Sequence, residues 1–181
     1  MTAQPQPKYA AKVPEAIQTP DVVETSRLGR PDFFDGMPAM ATGITPAMAH
    51  SGVGKESAYA FTPHIAQGRY LDGGKTYRVT LPAPVPVAQF WSFVVYSGRH
   101  RSLLETDQKR AGVDSQSPEL LANPDGTYTV WFAPTAPAGK EGNWVQTMPG
   151  KSWSALLRLY APLEPWFDKS WKPGDFELVN G

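Results

Sequence analysis

Hydrophobic and polar residues alternate along several short stretches of the chain after residue 69. Tyr77, Val79 and Leu81 alternate with polar residues, and a period of two is that of a strand with one buried face. Residues 89–97 are apolar on nearly both faces, which is typical of a central strand. The pattern predicts strands at residues 76–81, 89–97, 127–132 and 154–161, and a short strand at residues 143–147.

Turn-forming residues separate these stretches. Asp72-Gly73-Gly74 precedes the first strand, and Asn123-Pro124-Asp125-Gly126 precedes the third; proline second and glycine last suit a tight turn. A short helical turn is predicted from Glu164 to Trp171, entered at Pro165. Because no amphipathic helix lies between the strands, the fold class predicted is all-β. The architecture is an antiparallel β-sandwich, or jelly-roll-like single domain, with an extended N-terminal arm.

The first third of the chain has a different character. Residues 1–38 are proline-rich and have no apolar periodicity, which predicts an extended arm. Residues 37–50 are rich in Met and Ala, and residues 39–68 are predicted to form an irregular connecting segment. The predicted organisation is therefore an arm at residues 1–38, a connection at 39–68 and a sandwich domain at 69–181.

Composition removes several classes of function. Lys and Arg total 17 and so do Asp and Glu, so the basic footprint of a nucleic-acid-binding protein is missing. The chain has no cysteine, which excludes disulfides, thiolate nucleophiles and thiolate metal sites. The three histidines, His50, His64 and His100, do not have the spacing of a metal-binding helix. We therefore predict no metal and no cofactor.

No apolar run approaches the roughly 18 residues of a membrane span. The N-terminal residues contain no apolar segment of the kind found in signal peptides. The expectation is a soluble module without a membrane span. Its compartment is left open: cytoplasmic by default, and periplasmic if a signal was removed.

Several motifs after residue 69 are similar to a known bacterial family. They are Tyr70 to Tyr77, Gln89 to Phe93, Leu104 to Gln108, Asn123 to Gly126, Gly142 to Thr147, Arg158 to Tyr160 and Pro165 to Asp168. On these motifs residues 69–181 resemble the domain-of-unknown-function family DUF1214. Residues 19–25 and 33–38 resemble the opening of DUF1254, a domain that usually precedes DUF1214 in one longer chain. The resemblance implies a jelly-roll-like β fold and no particular reaction.

Arg158 is the most informative polar residue. It lies mid-strand between Leu156 and Tyr160, on a face that otherwise reads as buried. A buried guanidinium needs a carboxylate or an anionic ligand, and Glu105 and Asp107 are candidate partners. We predict that Arg158 is mostly buried and bonded to a carboxylate or a carbonyl. The bond would belong either to an internal ion pair or to a ligand site.

Two classes of function follow. The first is a non-catalytic module that binds a small polar or anionic ligand, or assembles with itself into a homo-oligomer through the arm. Its candidate ligand-binding residues are Arg158, Trp91, Asn143 and Trp144. The alternative is an enzyme of hydrolase or lyase type, in which Glu105 or Asp107 is the acid/base and Arg158 holds the substrate anion.

Overall fold

The computed structural model describes residues 52–179. Nine strands, one α-helical turn and one 3-10 turn lie in that range. Their bounds are β1 (Ser57–Thr62), β2 (Leu71–Asp72), β3 (Thr76–Leu81), β4 (Trp91–Ser97), β5 (Gly112–Asp114), β6 (Tyr128–Ala133), the 3-10 turn (Glu141–Asn143), β7 (Trp144–Gln146), β8 (Ser152–Tyr160), α1 (Glu164–Phe167) and β9 (Glu177–Val179). Every strand predicted from the pattern is present, and so is the helical turn at Pro165.

The strands form two sheets. One has the order β1-β8-β4-β5, with β2 pairing β8 beyond the end of β1; we call it the five-stranded sheet. The other has the order β7-β6-β3-β9; we call it the four-stranded sheet. All strand pairs in both sheets are antiparallel except β6 with β7, which is parallel. The expectation of a purely antiparallel sandwich is corrected at this pair. The chain returns to the start of β6 through the 3-10 turn instead of reversing in a hairpin.

Aromatic side chains join the two sheets. Phe132 on the four-stranded sheet stacks on Trp153 of the five-stranded sheet with ring centroids 5.1 Å apart. It also meets Phe93 edge-on at 5.6 Å. All three side chains are fully buried, and pairs of this geometry add to the free energy of area burial. The prediction of a single all-β sandwich-like domain is confirmed.

The turn before β6 forms as its residues predict. The N–H of Gly126 donates to the carbonyl of Asn123 at 2.9 Å, and Gly126 has φ +82°, which favours glycine. The Asp125 carboxylate accepts hydrogen bonds from the hydroxyl and the N–H of Thr127. These bonds hold the pKa of Asp125 below its ordinary value.

Strand β1 lies inside the segment that was expected to be irregular, residues 39–68. Its small residues are buried and its large ones face outward. Ala58 and Ala60 are buried in the sandwich, whereas Tyr59 and Phe61 point to the opposite face. Small buried residues give little hydrophobic contrast, so the period of two was not recognised. The predicted arm, residues 1–38, lies outside the described residues.

Candidate functional site

The side chains on the outer face of the five-stranded sheet form one polar row across four strands. Tyr59 of β1 pairs with Arg158 of β8. Arg158 pairs with Ser92 of β4, and Ser92 with Asp114 of β5. Because directly paired residues present their side chains on the same face, Tyr59, Arg158, Ser92 and Asp114 are neighbours on the side away from the core. We call this set the outer row.

The residues beside the outer row are apolar or aromatic. On one side Phe61, Leu156 and Val94 pair in register across β1, β8 and β4. On the other side the Tyr160 ring stacks on Phe90, with centroids 4.0 Å apart and planes 14° apart. These side chains are half-buried. The outer row therefore lies in an environment where unpaired polar atoms are costly.

Arg158 contacts aromatic faces. Its Cζ lies 5.6 Å from the centre of the Tyr59 ring and 5.2 Å from the centre of the Tyr160 ring, distances at which cation–π attraction operates. Its Nε is buried and has no hydrogen-bond partner within residues 52–179. The side chain as a whole is half-buried. The expectation of a mostly buried arginine bonded to a carboxylate or carbonyl is corrected. Alternation along β8 turns Arg158 away from the sandwich and onto the outer face.

Glu105 and Asp107 do not join Arg158. Both are exposed, on the connection from β4 to β5. The N–H of Leu104 donates to the carbonyl of Val95, which puts this connection beside the far part of β4. Arg158 is one strand further in and level with Ser92. Two ion pairs within residues 52–179, Lys75–Asp72 and Arg78–Glu177, do not involve Arg158.

The connection that carries Glu105 and Asp107 is fastened to the four-stranded sheet by two glutamines. Gln146 donates its N–H to Oε1 of Gln108, and Gln108 donates its N–H to Oε1 of Gln146, both at 2.8 Å. Gln108 Nε2 also donates to the carbonyl of Trp144 at 3.0 Å. This reciprocal pair joins two of the family-like motifs, residues 104–108 and 142–147.

The other three predicted ligand-binding residues have structural contacts. Trp91 is 2% exposed and packs edge-on against Phe93 and Tyr128 in the core. Asn143 accepts from the N–H of Leu121 and donates to the carbonyls of Leu121 and Thr129. Trp144 donates its Nε1–H to the carbonyl of Ala133. None of the three lies in the outer row.

A second polar surface lies at the far end of β4. Arg99, His100 and Lys151 line a shallow, half-open depression together with Ser97 and Glu105. The depression is separate from the outer row, and its charged side chains are exposed. A charged cluster of this kind is typical of a solvated surface.

His64 is buried next to the turn between β1 and β2. Its ring lies 4.4 Å from the Tyr70 ring, and neither ring nitrogen has a hydrogen-bond partner within residues 52–179. Burial lowers the pKa of His64 below its ordinary value. His50 lies outside the described residues, and within residues 52–179 no three His, Cys, Asp or Glu side chains cluster in a way that would hold a metal ion.

Three members of the outer row, Tyr59, Ser92 and Asp114, were missed from sequence. Asp114 lies on β5, a three-residue strand that the pattern did not predict. Tyr59 belongs to the strand hidden by alanines, and Ser92 reads as an ordinary member of an apolar strand. Pairing β4 with β8 in the correct register places a polar residue of β4 opposite Arg158. That juxtaposition was the signal available in the sequence. Choosing that register requires knowing which strands pair.

Comparison with known proteins supports the expected family, over a range that differs from the expected residues 69–181. A family model described as "Protein of unknown function (DUF1214)" matches residues 56–164. The chain belongs to the DUF1214 family. The match begins one residue before β1 and ends at the first residue of α1, so the DUF1214 domain contains all four strands of the outer row. No curated protein matches the chain.

Two solved structures resemble the chain. A crystal structure of the VPA0106 protein from Vibrio parahaemolyticus superposes with a TM-score of 0.62 at 21% identity, covering 81% of this chain and 35% of that one. A crystal structure of an uncharacterised protein from Burkholderia cenocepacia gives 0.45 at 19% identity, covering 75% and 34%. The first supports the fold. This chain spans about a third of the length of each.

No helix within residues 52–179 is long and apolar enough to cross a membrane.

Proposed function

We propose that this DUF1214 domain is a non-catalytic binding module that takes a small anionic ligand at Arg158 on the outer face of the five-stranded sheet. The observation that carries the proposal is the buried Nε of Arg158, which has no hydrogen-bond partner within residues 52–179. A buried donor without a partner costs about 1–3 kcal/mol. An anion that accepts from this nitrogen would recover that free energy on binding.

The surroundings of Arg158 favour a carboxylate or phosphate group. The guanidinium fork matches the oxygens of either group. Tyr59 and Tyr160 flank the cation with their rings and offer apolar contact to the rest of the ligand. The hydroxyl of Ser92, next in the row, supplies a further hydrogen bond.

Asp114 limits the charge of the ligand. It is two strands from Arg158 in the outer row, about 10 Å at the usual strand spacing. A second anionic group near Asp114 would be repelled, whereas a donor there would be attracted. A monoanion with an amino or hydroxyl group at its far end therefore fits better than a dianion.

The enzyme alternative receives less support from this arrangement. A reaction at the Arg158-bound anion would need an acid/base within hydrogen-bond reach of it. Glu105 and Asp107, the candidates for that role, are exposed on a different part of the sheet. The binding module is therefore the function we argue for.

Calorimetric titration with L-glutamate, succinate and phosphate tests the ligand site. We expect L-glutamate to bind the intact chain more tightly than the dianion succinate does, and Arg158→Met to abolish the binding. Arg78→Met is the matched control, because Arg78 also lies over an aromatic ring, Trp131, but is on the four-stranded sheet and is bonded to Glu177. Equal binding by the intact chain and Arg158→Met, or no binding of any of these anions, would overturn the proposal.

We further propose that residues 19–38 are a remnant of the DUF1254 opening and that the arm, residues 1–38, helps the chain to form a homo-oligomer. Val22, Val23, Phe33 and Phe34, the apolar residues of this arm, lie outside the described residues. Each large apolar side chain contributes about 1.5–3 kcal/mol when buried, so together they are sufficient to fasten an arm. Because the net charge is zero, two copies of the chain do not repel each other through their net charge. The jelly-roll-like strand order and the bacterial origin stay predictions.

A further inference from the structure

Strand edges differ in how they are protected from pairing with another chain. Natural proteins keep edge strands short, charge them or cover them. In the described part of the chain, β5, β7 and β9 are edges of only three residues each. The β7 edge is also covered by the side chain of Gln108. Strand β1 is the exception, since it has six residues and lies at the end of the five-stranded sheet.

The hydrogen-bonding direction of β1 follows from two backbone bonds beside it. Ala161 donates its N–H to the carbonyl of Glu56, and Tyr160 donates its N–H to the carbonyl of Phe90. Odd-numbered residues of β8 therefore face β1, and even-numbered ones face β4. Backbone groups alternate in direction along an antiparallel strand. The N–H and C=O groups of Ser57, Tyr59 and Phe61 consequently point away from β8, to the open side of the sheet.

These groups have no other backbone partner in the described part of the chain. The turn and loop bonds found within residues 52–179 use neither the N–H nor the C=O of Ser57, Tyr59 or Phe61. The sequence of β1, Ser-Ala-Tyr-Ala-Phe-Thr, contains no charge and no proline. Within residues 52–179, β1 therefore has no charge, proline or hydrogen-bonded segment on its open side that would prevent another strand from pairing with it.

We propose that β1 pairs antiparallel with β1 of a second copy of this chain. A twofold axis beside Tyr59 would place Tyr59 opposite its counterpart and Ser57 opposite Phe61 of the other copy. The three outward residues of each strand would exchange about six backbone hydrogen bonds. Since β1 carries no charge, self-pairing brings no like charges together. The two five-stranded sheets become one continuous sheet.

A second copy is favoured over a different partner because the edge is complementary to itself. In an antiparallel pair of β1 strands, each outward N–H and C=O group meets a complementary group on the other copy. Tyr59 and Phe61 would also make aromatic contacts across the axis on the outer face. The proposal goes beyond the ligand site and does not depend on it. It also differs from assembly through the arm, because β1 begins 19 residues after the arm ends at residue 38.

A proline at residue 61 tests the pairing. Phe61→Pro removes an outward N–H and leaves the bonds to β8 in place, since proline is tolerated on the open side of an edge strand. Phe61→Leu is the matched control, because it removes the ring and keeps the N–H. We expect dimers by sedimentation for the intact chain and Phe61→Leu, and a shift of at least tenfold towards monomer for Phe61→Pro. A monomeric intact chain would overturn the proposal, and so would a Phe61→Pro dimer of undiminished affinity.

Cross-linking keeps the proposal testable if Phe61→Pro does not fold. The chain has no cysteine, so Tyr59→Cys introduces a single thiol at the predicted axis. Directly opposed residues have Cα atoms about 5.5 Å apart, within the range of a disulfide. We expect Tyr59→Cys to form a disulfide-linked dimer on mild oxidation much faster than the control Lys140→Cys, on the exposed turn before β7.

The same cross-link separates this pairing from the arm. A Tyr59→Cys variant that starts at Met37 keeps β1 but lacks the arm, and we expect it to cross-link as the full chain does. Loss of the cross-link on truncation would overturn pairing through β1, and so would equal cross-linking of Tyr59→Cys and Lys140→Cys in the full chain.

Discussion

Arg158 contacts two tyrosine rings, and its Nε has no hydrogen-bond partner within residues 52–179. Arg158→Met loses cation–π attraction of about 0.5–1 kcal/mol for each ring. It also removes an unpaired buried donor, which costs a similar amount. We therefore expect the free energy of unfolding in urea, without ligand, to stay within about 1 kcal/mol of the original value. Breaking a buried ion pair would cost about 3–5 kcal/mol, so a loss of that size would contradict the aromatic environment described here.

His64 makes stability depend on pH. Its pKa in the fold lies below 6.5 because of burial, so below about pH 6.5 the unfolded chain takes up a proton that the folded chain resists. Stability is therefore complete above that pH and falls as the pH falls. We expect His64→Gln to flatten the pH dependence of the unfolding free energy between pH 7 and 5. Denaturation in urea across this range measures it, and an unchanged slope in the variant would show that His64 is not responsible.

From the sequence, Arg158 could be recognised as an unusual residue, but the face of the sheet on which it lies could not be predicted. A charged residue in an apolar strand is visible in the pattern. Period two divides β8 into two sets, of which Ala155, Leu157 and Leu159 are the buried one. Nothing in the pattern shows that the other apolar set, which includes Leu156 and Tyr160, lies outside the sandwich. The aromatic partner Tyr59 comes from a strand about a hundred residues away, beyond the reach of local pattern.

Among elements, the pair Gln108–Gln146 holds the β4–β5 connection to the edge of the four-stranded sheet. Gln108→Ala removes the two hydrogen bonds of its side chain, to Trp144 and to Gln146, and keeps the bond of its own N–H to Gln146. It leaves part-buried backbone groups on β7 unpaired. We expect it to lower the free energy of unfolding by about 2 kcal/mol. The double variant with Gln146→Ala should cost less than the two single losses together, because either loss already loosens the contact between the same two segments.

Urea denaturation of the original chain, the two single variants and the double variant gives the coupling energy between Gln108 and Gln146. Gln116→Ala is a suitable control, because Gln116 is an exposed glutamine on the loop after β5 and its loss should change stability by less than about 0.5 kcal/mol. Additive effects of Gln108→Ala and Gln146→Ala would indicate that the two side chains act independently.

Strands were predicted correctly where one face of the strand is much more apolar than the other. Strands β3, β4, β6 and β8 have large apolar residues on the buried face, and all four were located from sequence. Strand β1 was not, because its buried residues are alanines. The parallel pairing of β6 with β7 was also beyond prediction, since it depends on how residues 134–143 cross the end of the sheet and not on the composition of either strand.

For the whole molecule, the proposal about the arm predicts an effect of truncation on assembly. A variant starting at Met37 lacks Val22, Val23, Phe33 and Phe34 and retains the complete sandwich. We expect light scattering to show an oligomer for the intact chain and weaker association for the truncated variant. An oligomer unchanged by truncation would contradict a role for the arm and would leave pairing through β1 as the route to assembly.

The pairing of β1 with β8 has a consequence for synthesis of the chain. Ser57 pairs with Tyr160, so the ribosome must add about a hundred residues after β1 before its sheet partner exists. At about 5–20 residues per second, an uncharged, strand-forming segment waits about 5 to 20 s without its neighbour. Such distant pairings also slow folding after release. Until then the nascent chain presents β1 without its sheet partner, and the domain closes only when its last long strand has left the exit tunnel.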